Sequence, residues 1–124
     1  MTEILYKDES YKIIGLCMEV YNILGKGFSE IVYKDALEYE FKINNIPYLR
    51  EKEYIISYKE IILPHKYDAD FVVFDKIILE VKAVEAITQG HLKQSLNYLA
   101  ASKMRLSLVV NFGEDKLNHK RVIL

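Results

Sequence analysis

Asp70, Glu80 and Lys82 are the residues whose types and spacing could do chemistry together. They lie within residues 67–84, Y-D-A-D-F-V-V-F-D-K-I-I-L-E-V-K-A-V, where two apolar runs flank a polar turn at Asp75-Lys76. That is the pattern of a β-hairpin. Charged side chains are almost never buried unless they are paired or hold a metal. Glu80 and Lys82 are two apart, so a strand puts them on one face. Two carboxylates and an ammonium on one sheet face could hold a divalent cation and activate a water beside it.

The grouping makes a demand on the hairpin. A two-residue loop at Asp75-Lys76 would set Phe71 opposite Glu80 and turn Asp70 to the other face. A three-residue loop, Phe74-Asp75-Lys76, sets Asp70 opposite Glu80 and Asp68 opposite Lys82. Longer odd loops or a bulge keep that parity. An odd loop or a bulge is therefore expected. The plain alternative for the charges is an exposed Glu80–Lys82 ion pair, worth about 0–1 kcal/mol. Against it, Ile77, Ile78 and Leu79 precede Glu80 and Ala83-Val84 follow Lys82. A strand so apolar belongs in the middle of a sheet.

The remaining elements must position this hairpin. Residues 1–10 read as a polar lead-in. From Tyr11, the positions Ile13, Leu16, Cys17, Val20 and Leu24 recur at helical spacing and stop at Gly25-Lys26-Gly27. A second helix is expected over 29–44, with the stripe Glu30, Tyr33, Leu37, Phe41 and Asn44. Residues 51–58 read as a strand, Lys59-Glu60 as a turn and 61–63 as a return arm interrupted by Pro64. The hairpin arms are 68–73 and 77–82. Thr88 is a suitable N-cap for a third helix over 89–102, with Leu92, Leu96 and Leu99 on its apolar face. Residues 106–112 are a continuous apolar run, the look of a strand buried on both faces. Residues 113–118 form a loop and 121–124 a final short strand. Leu106 follows a helix, so its strand can return through a crossover. The most economical arrangement is α/β, a mixed sheet between helices in three layers.

Composition bounds the function. A chain of 124 residues is one small domain, and 51% hydrophobic with 28% charged residues suits a soluble globular protein. The net charge of −1 gives no global field toward nucleic acid, so any such contact needs a local basic patch. Cys17 is the only cysteine, which excludes an internal disulfide and a thiolate zinc cluster. Its apolar neighbours suit an inert core thiol. No cleavable signal is evident and no apolar run reaches membrane-spanning length, so a cytoplasmic protein without membrane contact is expected.

The hairpin resembles the core of the PD-(D/E)XK nuclease superfamily. More closely, Gly27-Phe28-Ser29-Glu30-Ile31-Val32-Tyr33 resembles the signature of the GxxExxY protein family. The similarity continues in order through Asp70 to Val73, Glu80-Val81-Lys82-Ala83, Gln94 with Tyr98-Leu99, Asn111-Phe112-Gly113 and Lys120-Arg121-Val122. It covers nearly the whole chain from about Ile13.

The resemblance implies a restriction-endonuclease-like core of helix, three strands, helix and strand, here with an extra N-terminal helix. It implies hydrolysis of phosphodiesters in nucleic acid, DNA ahead of RNA, with Mg²⁺ or Mn²⁺. Asp70 and Glu80 would then be the metal carboxylates, and the Val81 carbonyl a further ligand. Lys82 would orient water or steady developing phosphate charge. Glu30 would bring an acid from its helix to the metal; its plain reading is a first-turn acid favoured by the helix dipole, third in the helix if Gly27 is the N-cap. Gln94 would bind Lys82, a water or a phosphate, against the reading of a solvent-facing amide. Tyr33 suits a core ring with a bonded hydroxyl, and His91 a surface or supporting group. Asp68 shares the parity of Asp70, but the resemblance favours Asp70. Lys93, Lys103, Arg105, Lys116, Lys120 and Arg121 are candidates for phosphate contact, or plain solvated surface. The ten tyrosines offer stacking surfaces, or pack. A homodimer would suit cutting a duplex, and a protein partner could supply substrate selection. The rival reading is a nuclease-fold module that binds nucleic acid or a protein without turnover.

Overall fold

The computed structural model describes residues 3–124. Helix α1 spans Lys7–Leu24 and buries Ser10, Ile13, Cys17 and Val20. It begins earlier than its apolar pattern: only part of the expected lead-in is non-helical, and Met1 and Thr2 lie outside the described residues. Tyr6, in a left-handed conformation, supplies the N-cap, and its carbonyl accepts the Ser10 hydroxyl at 2.7 Å. Helix α2 spans Glu30–Ile43 with Ser29 as N-cap and buries Tyr33, Leu37 and Phe41. The cap is thus Ser29 and not Gly27, so Glu30 opens the helix instead of standing third.

Between the helices, Gly27 has φ 115°, a conformation open mainly to glycine. The Tyr33 hydroxyl closes this loop from α2. It donates to the Gly25 carbonyl at 2.6 Å and accepts the Phe28 N–H at 3.3 Å. The Tyr33 ring stacks on Phe112 with centroids 4.5 Å apart. Gly27 and Tyr33 therefore act together to turn the chain into α2.

Strands β1 (Tyr48–Tyr54), β2 (Ser57–Tyr58) and β3 (Ile61–Ile62) follow. The expected 51–58 strand is in fact two, because pairing stops at Tyr54 and resumes at Ser57; the Lys59-Glu60 turn is where the sequence places it. Strands β4 (Tyr67–Val73) and β5 (Ile77–Lys82) form the central hairpin. Helix α3 (Gln89–Ser102) starts at Thr88, whose side chain accepts the His91 N–H while His91 Nδ1 accepts the Thr88 N–H. Strands β6 (Leu106–Asn111) and β7 (Asn118–Ile123) end the chain. The last strand starts three residues before the expected 121, pairing Asn111 with Asn118.

The main sheet has the order β1-β4-β5-β6-β7, with β5 and β6 parallel and the other pairs antiparallel. One face carries α1 and α2 over Phe71, Val73, Leu79, Val81, Leu108 and Val110. The other carries α3 over Val72, Ile78, Val109 and Val122. On α3 the inward residues are Ser95, Tyr98 and Leu99; Leu96, expected on the apolar face, is 38% exposed. The crossover from β5 through α3 to β6 is what brings the apolar run 106–111 to the centre, where all six residues are buried.

Candidate active site

The β4–β5 register pairs Phe71 with Leu79, Val72 with Ile78 and Val73 with Ile77. Phe74, Asp75 and Lys76 are therefore the loop, the odd loop that the grouping of Asp70 with Glu80 requires. Phe74 and Asp75 both have positive φ, and the Lys76 N–H closes the turn on the Val73 carbonyl at 3.2 Å.

Pairing ends at Phe71 and Leu79, one step short of Asp70 and Glu80. Here strand β4 turns over. Phe71 and Val73 pack beneath α1 and α2, while Ala69 and Tyr67, of the same parity, pack on the α3 side. Strand β1 does the same: Tyr48 and Arg50 lie against Phe71, and Tyr54 lies on the α3 side. The pair Glu51–Asp70 is missing from the β1–β4 ladder, and Glu51 has φ 54°. The reversal leaves Asp70 at the splitting point. Its Oδ2 accepts the Val81 N–H at 2.8 Å, standing in for the lost ladder bond. Asp68, expected opposite Lys82, is exposed and alternates with Ala69 and Tyr67.

Glu80 projects from buried β5 beside Asp70 and is 4% exposed, and its Oε1 has no hydrogen-bond partner among the described residues. Burial pushes its carboxyl up to about 9, and the neighbouring Asp70 carboxylate adds to this against the pull of Lys82. An orphaned buried carboxylate oxygen next to a second carboxylate is the arrangement a hard divalent cation relieves. Asp70, Glu80 and the Val81 carbonyl fit such an ion chemically. Among the described residues, no group of three His, Cys, Asp or Glu is placed to enclose a metal, so Glu30 does not join the acid pair in such a cluster. It sits half-buried at the start of α2.

Lys82 is half-buried and forms no ion pair with any described residue. Its strand end is held by Asn111-Phe112-Gly113. The Phe112 N–H donates to the Lys82 carbonyl at 2.8 Å. Asn111 Oδ1 accepts the Val84 and Gly113 N–H groups at 3.0 and 3.1 Å, and Asn111 Nδ2 donates to the Val84 carbonyl at 2.9 Å. A Cβ on Gly113 would stand 2.3 Å from the Val84 oxygen, so only glycine lets the chains approach this closely.

Gln94 is exposed, and its Nε2 lies 3.3 Å from the Tyr98 hydroxyl. Burial and then the charges of Glu80 and Asp70 push Tyr98 up to about 12. His91 is spent on the helix cap. Lys93, Lys103, Arg105, Lys116 and Lys120 are exposed. Arg121 is half-buried, and its guanidinium donates to Ser10 Oγ at 2.9 Å and to the Leu5 carbonyl. An open hollow of about 550 Å³ between Lys26, Glu85 and residues 113–118 contains none of Asp70, Glu80 and Lys82.

Lys34 had no sequence signal. From α2 its ammonium bonds Asp70 Oδ1 at 3.3 Å and contacts Glu51 Oε1. It follows Glu30 by one helical turn, but only the fold brings it to the acids.

No curated protein matches the sequence. Solved structures similar in fold include two with different coverage of the chain. One, titled SSO0001, shares 18% identity at a TM-score of 0.61, covering 74% of this chain. The chain spans about half, 49%, of that protein. The other is an alkaline exonuclease from Laribacter hongkongensis, with 12% identity and a TM-score of 0.55, covering 99% of this chain and 72% of the exonuclease. The architecture is thus restriction-endonuclease-like, as the sequence implies. The profile of the PD-(D/E)XK nuclease superfamily matches residues 7–122, and the chain belongs to that superfamily.

Proposed function

We propose that this protein is a metal-dependent nuclease that hydrolyses phosphodiester bonds in nucleic acid, with DNA the preferred substrate. The observation that carries the reading is the buried, unpartnered Glu80 Oε1 beside Asp70. PD-(D/E)XK nucleases generally use divalent metal ions. Asp70, Glu80 and the Val81 carbonyl would hold Mg²⁺ or Mn²⁺. When bound, the ion supplies Lewis-acid polarisation of the phosphate and makes a water a stronger nucleophile at neutral pH.

The chain's own residues do the rest. Asp70 brings negative charge to a half-buried position fixed by the Val81 N–H, and Glu80 on the buried strand would supply a second charge on losing its proton. Lys82, without an ion pair among the described residues and on the strand face of Glu80, orients the attacking water and balances charge that grows on the phosphate. Asn111 and Gly113 hold the strand end that aims Lys82. Gln94, whose amide donates to the Tyr98 hydroxyl, is assigned to bind Lys82, a water or a phosphate. Glu30, at the head of α2, is assigned a water-mediated role at the same ion. Lys93, Arg105 and Lys120 are assigned to the phosphate backbone.

Within the superfamily we place the chain with GxxExxY proteins, supported by Gly27, Glu30 and Tyr33 in their loop and helix. We take the whole chain as one nuclease-like domain. The rival, a nuclease-fold module without turnover, is favoured by the lack of a third enclosing acid among the described residues. Waters and phosphate oxygens normally complete Mg²⁺ coordination, which answers that point.

The test is a cleavage screen over labelled single- and double-stranded DNA and RNA with Mn²⁺, beside Glu80→Ala. Cleavage by the wild type and none by the variant is the expected result. Equal cleavage by a folded Glu80→Ala would refute the assignment.

A further inference from the structure

Lys34 stands in a gap in the sheet. The Glu51–Asp70 pair is absent from an otherwise continuous register, Glu51 has a positive φ, and both strands turn over at this level. The Lys34 side chain, 12% exposed, enters the gap and is shared by the carboxylates of Glu51 and Asp70. Both Asp70 oxygens are therefore in use, one by the Val81 N–H and one by Lys34. A cation seated between Asp70 and Glu80 has to share Asp70 with Lys34, and like charges a few ångströms apart repel strongly.

We propose that Lys34 is a positioning residue, a tethered counter-ion that occupies Asp70 while no metal is bound and withdraws onto Glu51 when a divalent cation enters. The inference rests on the reading of Asp70 and Glu80 as metal carboxylates. Glu51 is the acceptor that keeps the displaced ammonium from being stranded in a half-buried site. Lys34 thus weakens metal affinity, and Glu51 strengthens it by drawing Lys34 away. Bare charge gives each single variant the same sign, so displacement is read in the double variant Lys34→Met/Glu51→Gln: once Lys34 is gone, Glu51→Gln should no longer weaken Mn²⁺ binding, whereas a static ion pair leaves its effect in place.

The experiment is Mn²⁺ titration of the full chain, with free Mn²⁺ read by electron paramagnetic resonance, for the wild type, Lys34→Met, Lys34→Arg, Glu51→Gln, the double variant and Glu80→Gln. Lys34→Met should bind Mn²⁺ about tenfold more tightly, since a unit charge beside a doubly charged ion is removed. Glu51→Gln should bind several-fold more weakly, and Lys34→Arg should stay close to the wild type. Unchanged or weaker binding by Lys34→Met, or tighter binding by Glu51→Gln, overturns the proposal. If Lys34→Met does not fold, Lys34→Gln and Glu51→Gln decide it. If Glu80→Gln loses Mn²⁺ while Lys34→Met matches the wild type, only the role of Lys34 falls. If Glu80→Gln binds as the wild type does, or the wild type binds none, the metal-site reading falls and this inference with it.

Discussion

The carboxylate of Asp70 accepts the backbone N–H of Val81 at 2.8 Å, across the point where strands β4 and β5 stop pairing. One side chain thereby caps an open ladder and brings its charge to the orphaned oxygen of Glu80. The same splitting that disrupts the sheet creates the acid pair, so stability and chemistry are opposed at this position.

Glu80 should make the metal-free protein less stable as pH rises. Its folded value, about 9, lies above the ordinary carboxylate range, so the folded state holds a proton that the unfolded state has released. Stability is then full below the unfolded value and is lost between roughly pH 4.5 and 9. In chelator, unfolding of the wild type should show this decline, and Glu80→Gln should flatten it. The variant should gain about 1–3 kcal/mol at pH 8, the usual cost of an uncompensated buried polar group. Superimposable pH profiles for the two proteins would exclude a strained Glu80.

Gly113→Ala should damage the site from a distance. The new Cβ would meet backbone atoms of Val84 and Ala83 at 2.3–2.8 Å, which cannot yield as a flexible side chain would. A loss of about 1–3 kcal/mol is expected from overpacking, together with a fall in cleavage beyond what unfolding explains, because Lys82 shifts. Denaturant melts paired with turnover on the folded fraction measure both. Normal stability would show that the chains can separate freely here.

Tyr33→Phe separates architecture from chemistry in the glycine–glutamate–tyrosine signature. The variant keeps the stack on Phe112 and loses the bonds to Gly25 and Phe28. It should cost about 0.5–1.5 kcal/mol per net bond lost and leave the cleavage rate of the folded protein near normal. A hundredfold rate loss at unchanged stability would make the hydroxyl a participant.

Arg121 and Lys120 should part company in salt titrations of nucleic-acid binding. Lys120→Ala should reduce the slope of log affinity against log salt by about one. Arg121→Ala should leave the slope alone and destabilise the fold, since its guanidinium ties β7 to Leu5 and Ser10. The reverse pattern would return Arg121 to the phosphate surface.

Much of this was legible in the residues. Parity alone required an odd loop at Phe74-Asp75-Lys76, and Thr88 marked the start of α3. The continuous apolar run from Leu106 announced a central strand. What escaped depended on contacts between distant segments. The reversal of β4 at Asp70 needs the positive φ of Glu51 on its neighbour, and no local pattern encodes it. Lys34 reads as one more helix-surface lysine until α2 is laid over the gap. The bonds of Arg121 to Ser10 and Leu5 were hidden because those partners lie more than a hundred residues away. Asn111 and Gly113 were visible as a motif, but their work as a clamp on residues 83–84 appears only with β6 beside β5.

The central claim is that Asp70 and Glu80 form a seat for one divalent cation. Anomalous diffraction from crystals equilibrated with Mn²⁺ tests it most directly. A single peak within bonding distance of an oxygen of each carboxylate, with Lys34 drawn onto Glu51, is the predicted result. Saturating Mn²⁺ that leaves no peak there, with Lys34 still on Asp70, would contradict the account.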